Sequence, residues 1–309
     1  MNMMLNRLQK PAPIDRAAFL SGVKFMPLAG RTAVVRAFDA RPMLAGILDS
    51  GFIEYDMAVC GIINPQHQPK TAIYGCAGAD ISNFLLATDA TTAYFVDLSP
   101  VYPDLLHDML SGKFELTDDA FNYCTVKYER GFGYTSDLMR DIETKIAIEL
   151  NALGIKQETL KVRTGKDGTI VLTFEWAYAG REPRTYTIVY VCANIERPET
   201  YPNILKEALK NGVDIYYERA SLFSGCSYYK YLVAMASCIK PGGYVLVDDT
   251  SLIKRWVDEL KAYTGLTRVD SPFLERLKVA HMSCPGSYSA MLPGYGWATW
   301  PYIKNRPNP

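Results

Sequence analysis

TAIYGCAGADISNFLLATDATTAYFVDLSP, residues Thr71 to Pro100, reads as strand, small-residue turn, helix and second strand. Ala72 to Tyr74 form a short apolar run that stops at Gly75. Five small residues follow, Gly75-Cys76-Ala77-Gly78-Ala79, and from Ile81 to Ala87 apolar side chains recur at helical spacing. Tyr94-Phe95-Val96 make a second apolar run, closed by Asp97 and then Pro100. A small-residue turn between strand and helix lets a ligand approach the backbone and the helix N-terminus. An acid at the end of the second strand accepts hydrogen bonds from ribose hydroxyls. The stretch therefore predicts a βαβ unit that holds a nucleoside-containing cofactor.

A second cassette lies downstream. Asn203 to Lys210 reads as a helix, leading through Asn211-Gly212 into the apolar strand Val213 to Tyr217. A helix over Ser227 to Ile239 follows, then Lys240-Pro241-Gly242-Gly243 and a strand from Tyr244 to Val247 that ends at Asp248-Asp249. Proline stops the helix and the glycines permit the turn into the strand. Ser251 to Tyr263 is amphipathic, with Leu252, Trp256 and Leu260 at spacing four.

In this order the two cassettes resemble the class I S-adenosylmethionine-dependent methyltransferases, over roughly residues 70–100 and 185–290. Gly75-Cys76-Ala77-Gly78-Ala79 stands where that family has G-x-G-x-G, with alanine at two glycine positions. Asp97 stands at the ribose position. The family's acid two residues before the first glycine is Ile73 here, so the amino-group contacts differ. The resemblance implies a Rossmann-like, mostly parallel seven-stranded sheet flanked by helices. It implies S-adenosylmethionine as cofactor and S-adenosylhomocysteine as product. Cofactor contacts carry over to Gly75, Cys76, Ala77, Gly78, Asp97, Leu98 and Ser99. At the third strand, Val189 to Asn194, the adenine contact falls on Asn194 with Ile195 beside it. At the fourth strand end, cofactor contacts carry over to Arg219 and Ala220. An asparagine at a strand end is also a common turn former.

The end of that fourth strand, Tyr216-Tyr217-Glu218-Arg219, faces the transferable methyl in the resembled family. Glu218 is the candidate base for a substrate hydroxyl or amine. Tyr217 is the candidate to orient the acceptor or face the sulfonium through its ring. His281, near an expected strand end, is a further candidate base, a structural histidine being the commoner outcome. The family's N/D-P-P-Y/F motif is absent here, which argues against base-directed or glutamine-directed N-methylation. Small-molecule O-, N- or C-methylation remains. A second enzyme reading transfers or cyclises the aminocarboxypropyl arm and releases methylthioadenosine. A third keeps the fold as an inactive binding scaffold. A nicotinamide oxidoreductase is disfavoured, because Ala77 and Asp80 occupy glycine positions of G-x-G-x-x-G and an acid at the last repels a pyrophosphate.

Two regions carry no such signature. Residues 1–68 are expected to form a helical cap segment, with Val34 to Leu48 at helical spacing interrupted by Pro42. Residues 69–309 make up the cofactor-binding domain, with an insertion at about 101–184 that contains a β-hairpin. Within the insertion, Thr169 to Trp176 is a strand after the Lys166-Asp167-Gly168 turn, and Thr185 to Ile195 follows as the third core strand.

Composition bounds the function. The chain has 309 residues, 49% hydrophobic and 21% charged, which suits a packed globule rather than a disordered chain. Lysine and arginine total 33, aspartate and glutamate 33, so a large electrostatic footprint for nucleic acid is not expected. No apolar run reaches about 18 residues, and the first residues show no signal-peptide core. These observations predict a cytoplasmic protein with a small-molecule substrate, no membrane partner and no nucleic acid, and leave a homodimer open. Seven scattered cysteines contain no C-x-x-C pair, and the three histidines are not spaced for a shared metal. Cys192, inside an apolar strand, is expected to be buried.

Overall fold

The computed structural model describes residues 71–75, 81–88, 90–97, 101–111, 146, 150, 155, 157–177, 182–194, 197–218, 228–248, 251–272, 274–275 and 299–305. The expected helical segment 1–68 and the expected strand end near His281 lie outside these residues.

The chain runs β1 (Thr71–Gly75), α1 (Ile81–Thr88), β2 (Thr92–Asp97), α2 (Pro103–Leu110), β3 (Lys161–Thr164), β4 (Ile170–Trp176) and β5 (Arg184–Cys192). It continues with α3 (Asn203–Asn211), β6 (Val213–Glu218), α4 (Tyr228–Cys238), β7 (Ile239–Asp248), α5 (Ser251–Thr264), β8 (Leu266–Arg268) and β9 (Thr299–Lys304). Among the described residues, nine strands join one sheet in the order β3-β4-β5-β2-β1-β6-β7-β9-β8.

The expected mostly parallel seven-stranded Rossmann-like sheet is not what forms. The sheet is mixed and nine-stranded. Its inner pairings, β5–β2, β2–β1, β1–β6 and β6–β7, are parallel. The pairings at both ends, β3–β4, β4–β5, β7–β9 and β8–β9, are antiparallel. At the β3–β4–β5 end the cause is connection length. A parallel neighbour needs a crossover of about a dozen residues or more, usually a helix, as α1 provides between β1 and β2. Between β3 and β4 there is only the tight turn at Lys166-Asp167-Gly168, with Gly168 at φ 79°. Residues 177–183 are likewise too few to carry the chain from β4 to a parallel β5.

Asp167 does more than turn the chain. Its carboxylate accepts from the Thr169 hydroxyl at 2.9 Å. Burial acts to raise its pKa, but hydrogen bonds from Thr169 and from the backbone of Ile204 outweigh it and hold the carboxyl below its usual value. Ile204 lies in the first turn of α3.

The core follows from the strand patterns. β4 buries Ile170, Val171, Leu172, Phe174 and Trp176 while leaving Glu175 exposed. β7 buries Tyr244, Val245, Leu246 and Val247 without alternation, as expected of a strand covered on both faces. On α5, Trp256, Val257, Leu260 and Thr264 are buried while Arg255, Asp258, Glu259 and Lys261 face water. α3 buries Leu205 and Ala208 and stops at Gly212, whose φ of 78° suits glycine and whose N–H donates to Leu209 O at 3.1 Å. Each large apolar side chain so buried contributes about 1.5–3 kcal/mol. Among the described residues no helix is long and apolar enough to cross a membrane.

Candidate functional site

The parallel strands fix where a ligand can reach the backbone. β1 continues to β2 on one side and the chain then adds β5 beyond it. It returns to place β6 on the opposite side of β1, and β7 beyond that. The connections therefore diverge between β1 and β6, and in open sheets ligands bind outside the carboxyl ends of the strands at such a point.

Register places the strand ends residue by residue. Gly75, the last residue of β1, pairs with Val96 of β2 on one side and with Glu218 of β6 on the other. Asp97, one residue past Val96, pairs with Cys192, the last residue of β5. Tyr217 pairs with Leu246, so Asp248 ends β7 on the same edge. Neighbouring strands lie about 4.8 Å apart, which puts the ends of β2 and β6 about 10 Å apart with Gly75 between them. Two acid positions thus flank a residue that has no side chain.

Helix α1 braces this edge from one face of the sheet. The Phe84 ring meets Phe95 of β2 edge-on at 5.1 Å and Tyr217 of β6 at 6.2 Å, spanning β1 between them. Phe95 in turn contacts Tyr190 of β5 at 5.3 Å. Three parallel strands are therefore held by one aromatic cluster just behind their ends. On the other face, burial raises the pKa of the Tyr94 phenol, and the Glu207 carboxylate of α3 adds to the effect.

The candidate residues are distributed as follows. Gly75, Asp97 and Glu218 end three neighbouring strands on one edge. Tyr217 is fully buried, with its ring against Phe84. Asn194 is partly buried two residues past β5, and its carbonyl accepts the Arg197 N–H at 2.9 Å, closing a turn. Cys76, Ala77, Gly78, Leu98, Ser99, Ile195, Arg219, Ala220 and His281 lie outside the described residues. Cys192 corrects an expectation: it is exposed at the carboxyl end of β5, not buried within it. The pattern Val-Tyr-Val-Cys predicted a strand, but only the pairing with Asp97 shows that Cys192 sits on this edge.

The backbone register thus brings the Asp97 and Glu218 positions to either side of Gly75 on the carboxyl edge. Compared with known proteins, the chain matches no family model and no curated protein.

Proposed function

We propose that the protein is an S-adenosylmethionine-dependent methyltransferase acting on a small-molecule acceptor, with S-adenosylhomocysteine as the by-product. The observation that carries this reading is a register. Gly75 and Asp97, the two positions that a nucleoside motif requires, end adjacent parallel strands, and Glu218 pairs with Gly75 from the other side. The donor set suits such a cofactor: a side-chain-free strand end for close approach and a neighbouring acid position for ribose hydroxyls.

When bound, the cofactor supplies an electrophilic methyl group. The chain's own part is to bind, orient and move a proton. Residues Gly75 to Gly78 give backbone access. Asp97, with Leu98 and Ser99 after it, holds the ribose side, and Asn194 and Ile195 border the base. Glu218 takes the proton from the acceptor, with Arg219 and Ala220 beyond it. Tyr217, locked against Phe84, fixes the strand end that carries Glu218. Catalysis on this reading rests mainly on orientation, for which about 7–11 kcal/mol of barrier reduction is available to well-placed groups. The same reading puts the protein in the cytoplasm, with no nucleic-acid partner.

Calorimetric titration tests it. Wild type binds S-adenosylmethionine in the micromolar range, and Asp97→Ala binds at least tenfold more weakly, a loss of about 1.4 kcal/mol. No heat with wild type, and no competition by S-adenosylhomocysteine, would overturn the proposal. By-product analysis then separates S-adenosylhomocysteine, expected here, from methylthioadenosine, which would reassign the reaction to the aminocarboxypropyl arm.

A further inference from the structure

We draw no further inference here: the strongest candidate, the exposed Cys192 at the carboxyl end of β5 in register with Asp97, belongs to the strand edge already described, and nothing among the described residues points to a ligand of its own.

Discussion

The ammonium of Lys304 on β9 donates to the carbonyl of Thr264, the last residue of α5, at 2.6 Å. It also donates to Ala236 O near the end of α4 at 2.8 Å. The last turn of a helix leaves carbonyls without partners and carries the negative end of its dipole. One buried cation therefore secures two helix ends to the sheet. Lys304→Met strips both carbonyls of their donor and is expected to cost at least about 2 kcal/mol, read from urea unfolding. The pH dependence carries a definite sign. Burial lowers the Lys304 pKa, and Cys238 opposes that more weakly. The native state sheds this proton before the unfolded chain does, so over the interval between the two pKa values the side chain's contribution to stability rises with pH. A neutral amine still has two N–H groups for the same two carbonyls. The gap between wild type and Lys304→Met should widen as the pH rises toward the ordinary lysine value of about 10.4. A narrowing gap would contradict the assignment.

The β6–β7 junction depends on Gly243. A Cβ there would lie 2.6 Å from Asp214 O and 2.9 Å from Ile239 Cγ2. Backbone cannot yield as a flexible side chain does. Gly243→Ala should force the two strands apart and cost about 1–3 kcal/mol, seen as a lowered melting temperature. Gly242 differs, since nothing lies within 4 Å of its Cβ position and its φ is +81°. Gly242→Ala should cost only the left-handed strain, about 1–2 kcal/mol.

How much of this was legible depends on how local each signal is. The α5 helix and strands β4 to β7 announce themselves through spacing that any window of the sequence contains. β9 does not: Pro301 lies inside it, and proline argues against a strand with neighbours on both sides. Yet Pro301 pairs with Leu246 and its carbonyl accepts from Val269 N at 3.1 Å. The aromatic tail around Trp300 and Tyr302 is thus a buried strand, with the Arg268 guanidinium 3.9 Å over the Trp300 ring. β3, Lys-Val-Arg-Thr, has a single apolar side chain and becomes a strand only because β4 lies beside it. At the candidate site, Gly75, Asp97 and Glu218 could be recognised as strand ends. The pairings Gly75–Glu218 and Asp97–Cys192 could not, because they join segments more than ninety residues apart in sequence.

Phe84 is the one side chain described on α1 that contacts rings on both strands flanking β1. Phe84→Ala should cost about 3–5 kcal/mol by denaturant unfolding, since it removes a buried ring that its neighbours cannot collapse around. Phe84→Leu, closer in volume, should cost less than about 1.5 kcal/mol. If both variants lose the same amount, the ring contacts are not what holds the edge.

Cys192 offers a reporter for the proposed cofactor. Its exposed side chain ends β5 one strand, about 4.8 Å, from the end of β2 that Asp97 occupies. A nucleoside held at Asp97 would overlie that thiol. Alkylation by iodoacetamide, followed on the Cys192 peptide by mass spectrometry, should slow severalfold with saturating S-adenosylhomocysteine. Asp97→Ala should abolish the protection at the same ligand concentration. Cys238 is the internal reference: it is half-buried, burial raises its pKa, and its Sγ donates to Ala234 O at 3.4 Å. Its rate should not move, because the ligand edge is at the other end of the sheet from α4's last turn. Calorimetric binding without protection of Cys192 would place the nucleoside away from the β2–β5 edge. Absence of both binding and protection would remove the cofactor reading altogether.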